Sequence, residues 1–299
     1  MDTLPENPGT DEFALLTSNA AELGLDATSI PHVERVTTRV GEHSVSAIVW
    51  GVAEPEFVFL HGGAQNAHTW DSMLLALGAP AVAIDLPGHG HSSWRGDRDY
   101  APRRNAETIA AVIDALAPSA RAVVGMSLGG LTTIGLLGLR PQLVRHAVIV
   151  DVTPSVYARH QAMSTAQRGT TALPAGPRHF DSLDDMVSAT AALAPHRSIE
   201  SIRRGVIHNS RPAGQGGYQW RYDALTGMGG FLPLWDEVAR ARCPITLVRG
   251  GDSVFVADDD IDEFRSHASI PAVHTVPGAG HSVQSDQPRA LARILRELR

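Results

Sequence analysis

Ser127 lies between two glycines in Val123-Val124-Gly125-Met126-Ser127-Leu128-Gly129-Gly130, at the end of an apolar run. Residues 122–125 read as a buried strand and residues 128–139 as an apolar helix, so the serine falls on a strand-to-helix turn too sharp for bulky neighbours. Gly125 and Gly129 are the residue type such a turn demands. The turn lifts the hydroxyl out of the sheet and aims the start of the next helix at it, so the Leu128 N–H can stabilise an oxyanion. A serine hydroxyl is a weak nucleophile until a base takes its proton. Of the 14 histidines, His281 stands out. It sits in Pro277-Gly278-Ala279-Gly280-His281-Ser282, where the glycines let a loop carry an imidazole back over a sheet edge.

These side chains need a scaffold, and the chain alternates short apolar strands with helical stretches, the pattern of a mostly parallel sheet covered on both faces. Eight strands are predicted, at 33–40, 44–52, 56–60, 81–86, 121–125, 147–150, 245–249 and 272–276, the first two paired antiparallel around Gly41-Glu42-His43. A helix is expected over 11–25 and a final one over 287–298. Ligands of open α/β sheets bind at the C-terminal strand ends, where Ser127 and His281 both fall. Residues 153–235 break the alternation, with helical pieces near 181–193 and 198–207. The division predicted is an N-terminal helical extension (1–30), a core (31–153 and 236–299) and a cap inserted over 154–235, able to exclude water and shape a pocket.

At 299 residues with 43% hydrophobic content the chain is long enough to bury one large core. A net charge of −7, from 25 basic and 32 acidic residues with no basic run, argues against nucleic acid or an anionic membrane as partner. Cys243 is the single cysteine, which excludes an internal disulfide and suits a reducing compartment. Residues 1–25 lack a basic start and a continuous apolar stretch, and no run spans a bilayer. A cytoplasmic protein is expected, its oligomeric state left open.

The ordered motifs resemble the α/β-hydrolase fold family from about residue 33 to the C-terminus, apart from the cap. His61-Gly62-Gly63 is similar to the family's oxyanion loop, Asp85-Leu86-Pro87-Gly88-His89-Gly90-His91-Ser92 to its segment after the fourth strand, and Ser127 and His281 to its nucleophile and base. The resemblance implies an oxyanion hole from the Gly63 and Leu128 N–H groups, with His61 holding the loop and His89 and His91 shaping a turn rather than binding metal. It implies no cofactor and no metal.

The acid of the triad has two candidates. In most of the family it follows the seventh strand in a Gly-x-x-Asp-x-x-Val pattern. Here that register, Gly250-Gly251-Asp252-Ser253-Val254-Phe255-Val256, puts Ser253 on the acid's place and Asp252 one residue early. An offset of one residue near a strand end reverses side-chain direction. Val150-Asp151-Val152-Thr153-Pro154 instead places an acid directly after the sixth strand, resembling a branch of small esterases and thioesterase-like hydrolases. Asp151 is preferred and Asp252 is the alternative.

Epoxide hydrolases and haloalkane dehalogenases of this fold attack with a carboxylate, and a serine excludes that route. The expected reaction is hydrolysis of a small-molecule carboxylic ester, lactone or thioester through an acyl-enzyme. Carbon–carbon bond hydrolysis or acyl transfer on the same triad, a cofactor-free oxygenase, and a non-catalytic ligand-binding protein are the alternatives. The expected pocket is apolar or aromatic: Gly62, Trp70, Met126, His160, Trp220 and Trp235, with Gln65, His68, Tyr222 and Phe231 nearby.

Overall fold

The computed structural model describes residues 11–224 and 234–298. Eight strands form one mixed sheet: β1 (Val33–Val40), β2 (His43–Trp50), β3 (Phe57–Leu60), β4 (Ala81–Ile84), β5 (Ala122–Met126), β6 (Ala147–Val150), β10 (Ile245–Gly250) and β11 (Pro271–Val276), with β7–β9 in the cap. Their order is β1-β2-β4-β3-β5-β6-β10-β11. β1 and β2 form an antiparallel hairpin turned by Gly41 at φ +58°, and β2 meets β4 antiparallel. The remaining pairs are parallel.

Every residue of β3 to β6 is buried, as expected of strands covered on both faces. Alternate residues feed two apolar layers. Val58, Leu60, Val123 and Ile149 pack with the helices Pro102–Leu116 and Leu128–Leu139 on one face. Phe57, Phe59, Val124 and Val148 pack with Leu16–Glu22, Asp71–Leu77 and Pro288–Arg296 on the other. Leu128–Leu139 is buried from Leu128 to Leu137, which explains its apolar sequence on all sides.

The cap holds the helices Leu183–Leu193 and Ile199–Asn209, begun by Ser182 and Ser198, whose hydroxyls accept from the Asp185 and Ser201 N–H groups. A three-stranded antiparallel sheet, β7 (His179–Phe180), β8 (Ser210–Pro212) and β9 (Tyr218–Trp220), completes it. This sheet was not expected from the sequence. The N-terminal helix is shorter than expected, Leu16–Glu22, with residues 12–15 in turns. Met186, Val187, Ile202, Val206, Trp220 and Tyr222 make a separate cap cluster, and Ala64 of the core is buried in it. No described helix is long and apolar enough to cross a membrane.

Candidate active site

The predicted turn is built by close backbone approach. A Cβ on Gly125 would run into the Gly129 carbonyl, and one on Gly129 into the Leu60 carbonyl. Ser127 therefore stands between β5 and its helix at φ +51°, a strained conformation for a residue with a side chain. Its N–H donates to the Val150 carbonyl (3.1 Å), and its own carbonyl accepts from Leu131 N–H (3.0 Å), so both neighbours fix the turn. The side chain is half-buried, while the following Leu128 starts the helix with its amide free of an intrahelical partner.

The loop after β11 brings His281 to the same edge. Gly280 N–H donates to Asp286 Oδ2 (3.0 Å), and the imidazole stacks on Phe255 with centroids 3.6 Å apart. His281 Nδ1 lies 2.8 Å from Asp151 Oδ2. Asp151, wholly buried, also accepts Gly250 N–H on Oδ1 (2.8 Å) and the Ser253 hydroxyl on Oδ2. Three donors converge on its two oxygens, so Nδ1 of His281 carries the hydrogen and Nε2 is the ring's acceptor. That Nε2 is buried without a hydrogen-bond partner, and His281 and Ser127 line one cavity. Asp252 is exposed, and its side chain does not reach His281; only its main-chain N–H helps, donating to the Ala279 carbonyl (2.9 Å). Of the two candidate acids the geometry joins Asp151 to the histidine. Ser253, on the register position where the family places its acid, hydrogen-bonds that acid instead.

Two buried histidines hold the loop after β3. His61 donates from Nδ1 to the Gly62 carbonyl (2.7 Å) and accepts Leu86 N–H on Nε2 (2.9 Å). His89 donates from Nδ1 to the Pro87 carbonyl (3.0 Å) and accepts Ala64 N–H on Nε2 (3.1 Å). Each imidazole has one donor and one acceptor role, which only the neutral ring can fill. Burial pushes both pKa values down, that of His89 to about 3 with the help of the neighbouring His61. Gly62 lies so close to Met126 Sδ and Ser127 Cβ that a methyl group there would collide with the sulfur. Beneath, the wholly buried Asp85 accepts Ala67 N–H (2.7 Å), His91 N–H (3.0 Å) and the Arg35 guanidinium (2.7 Å).

The cavity measures about 140 Å³, comparable with engineered apolar cavities of ~150 Å³ that take up benzene. Gly62, Gly63, Met126, Ser127, His281 and Trp220 line it, together with polar side chains including Thr170, Thr171, Thr190, Arg197 and Ser201. The lining is thus more polar than the sequence suggested. Three residues expected there lie elsewhere. Trp70 is wholly buried against Phe59 (5.0 Å), Trp235 stacks on His267 (4.7 Å), and His160 lies 6.3 Å from the outer neighbour of His281, Phe255. Aromatic rings fill cores as readily as pockets. Phe231 falls outside the described residues.

One cluster that sequence reasoning missed has metal-ligand atoms in reach of one another: His68, Asp71 and His208, all within 4.8 Å. His68 already spends Nδ1 on Asp71 (2.8 Å) and Nε2 on Glu12 (3.0 Å), and its ring lies parallel to His208 at 3.7 Å. In-plane lone pairs of stacked rings do not converge on one ion, so the group reads as a hydrogen-bonded network.

The model of the alpha/beta hydrolase family matches residues 57–294. The chain is 53% identical over 292 residues to esterase Rv0045c of Mycobacterium tuberculosis, covering 97% of this chain and 96% of that protein. A solved structure of that esterase superposes with a TM-score of 0.85, covering 96% of this chain and 98% of the other at 52% identity. At 26% identity, over 81% of this chain and 86% of the relative, it is similar to a 2-(acetamidomethylene)succinate hydrolase of Mesorhizobium japonicum.

Proposed function

The chain belongs to the alpha/beta hydrolase family, and on that premise we propose that this ester-cleaving hydrolase works through a covalent acyl-enzyme on Ser127, with His281 as general base and Asp151 as the carboxylate that orients it. The observation that carries this reading is the 2.8 Å contact of Asp151 with His281 Nδ1, which leaves a buried, unpartnered Nε2 facing the cavity that Ser127 also lines. As Ser127 Oγ attacks the acyl carbon, Nε2 takes its proton, and Asp151 stabilises the imidazolium without accepting the proton itself. The Gly63 and Leu128 amides donate to the oxyanion. His281 then protonates the leaving group, and on its return removes a proton from the water that releases the acid.

Because the cavity of about 140 Å³ is small and partly polar, the acyl groups that fit are short. Carboxylic esters lead, with lactones and thioesters sharing the acyl chemistry. Within the insertion, the described residues 154–224 act as a cap that keeps bulk water from the reacting atoms. The single cysteine and the absence of a membrane-spanning helix among the described residues support placing the protein in the cytoplasm. A panel of short p-nitrophenyl esters, lactones and thioesters, assayed with wild type and Ser127→Ala, tests the reading. Loss of at least 10³-fold in kcat/KM on alanine substitution is expected. Retention of most activity refutes it.

A further inference from the structure

Ala64 directly follows Gly63, whose N–H is one of the two proposed oxyanion donors, and it is held at φ +60°. An alanine there is strained and persists only when the surroundings over-determine it. The core supplies one restraint, the Ala64 N–H bond to His89 Nε2 (3.1 Å). The cap supplies the other two. Asn209, at the end of the helix Ile199–Asn209, donates Nδ2–H to the Ala64 carbonyl (2.7 Å), and the Ala64 methyl is buried in the cap's apolar cluster.

The same helix end is clasped by the loop a second time. Asn66 Nδ2 donates to the His208 carbonyl (3.0 Å) and to Asn209 Oδ1 (3.3 Å). Asn209 is itself fixed, because its main-chain carbonyl accepts Arg221 N–H (2.8 Å). Only an amide N–H can meet a carbonyl oxygen, so these contacts set the orientation of both side-chain amides.

We infer that Asn209 is a positioning residue for the oxyanion hole: by holding the Ala64 carbonyl it locks the peptides around Gly63, so the hole is complete only when the cap is seated. The inference rests on the acyl-enzyme reading above. Its consequence is that a cap residue acts on the transition state rather than on substrate entry. When the cap lifts, Ala64 loses a hydrogen bond and its apolar cover together and is free to leave the strained conformation, taking the Gly63 N–H out of line. Misplacing a stabilising group by about 1 Å costs up to ~10²-fold in rate, less than the 10²–10³ for losing a donor outright.

The test compares wild type with Asn209→Ala and Asn209→Asp. The aspartate variant is isosteric and keeps the acceptor that Asn66 Nδ2 reaches, but replaces the donor to Ala64 with a carboxylate oxygen that repels its carbonyl; it reads the same contact should the alanine variant fail to fold. Three quantities are measured: kcat and KM on p-nitrophenyl acetate, the inhibition constant of a short alkyl boronic acid, whose tetrahedral adduct on a serine occupies an oxyanion hole, and Tm. The expected result is a fall in kcat of about 10- to 100-fold, a parallel weakening of boronate inhibition, and KM within about threefold of wild type. Unchanged kcat and boronate inhibition overturn the inference. So does a change confined to KM or Tm, which marks a structural role. Wild-type enzyme that binds no boronate, together with an active Ser127→Ala, would instead refute the acyl-enzyme reading.

Discussion

Ser253 and His281 both place a hydrogen on the same oxygen, Oδ2 of Asp151, while Oδ1 takes the Gly250 amide. The seventh core strand, β10, thus contributes a hydroxyl where most of the family contributes the acid. In the proposed triad the acid comes from the neighbouring strand end, where Asp151 takes φ +52° directly after β6. Asp151→Asn is expected to lower kcat by about 10⁴-fold, because an amide in that place holds the imidazole in the wrong tautomer. Asp252→Asn, altering an exposed side chain, is expected to stay within about twofold of wild type. Steady-state kinetics on one short ester separates the two.

Ser253→Ala removes one charge-assisted hydrogen bond from the carboxylate but leaves two donors in place. Such bonds are worth about 1.5–3 kcal/mol. A fall in kcat of about tenfold is expected, with KM little changed; a loss as deep as that of Asp151→Asn would mean that Ser253, not Asp151, organises the histidine.

Arg35 crosses from β1 to meet Asp85 (2.7 Å) and Glu12 (2.6 Å) beneath the loop that follows β3. Removing one partner of a buried pair strands the other charge. Arg35→Met is expected to destabilise the fold by about 3–5 kcal/mol, read as a lower midpoint in urea at unchanged slope.

Stability should fall on the acid side of neutrality. Burial holds His89, His91 and His208 neutral and lowers their pKa values from 6.5 to about 3, 4 and 2, with nearby positive groups adding to the effect for two of them: Arg35 for His91 and His68 for His208. Unfolding frees these rings to take up protons, so their contribution is complete above pH 6.5 and is lost as the pH drops below it. The expected Tm profile declines below about pH 6.5, and less steeply in His208→Phe, which keeps the stack on His68 without a titrating ring.

His68 has the opposite sign. Burial opposes its charge, but Asp71 and Glu12 outweigh burial and raise its pKa from 6.5 to about 9. The stabilisation is complete below pH 6.5 and disappears as the pH rises through about 9. His68→Gln should remove this alkaline decline from the Tm profile, and an unchanged decline would locate it elsewhere.

The legible parts of the fold were those set by local constraint. Gly125 and Gly129 are demanded by backbone contacts within one turn, so the strand, serine and helix 128–139 could be read directly. The choice between Asp151 and Asp252 could not, since a one-residue offset at a strand end is decided by where β6 and β10 stop relative to each other. The cap sheet escaped because its strands have two or three residues, too few for alternation to show; Gly216 and Gly217, both at positive φ before β9, were its one local signal. Trp70 and Trp235 looked like pocket residues by type, yet type does not distinguish a ring packed on Phe59 or His267 from one facing a ligand. Asn209 and Arg35 belong to no motif, and only tertiary contact reveals them.

The most direct test of the central claim is intact-mass spectrometry, with peptide mapping, of protein quenched during turnover of a slowly deacylating ester. A single acyl adduct on Ser127 is expected, absent from Ser127→Ala and slower to form in His281→Ala. Full turnover with no adduct on Ser127, or an undiminished rate in Ser127→Ala, would contradict the account.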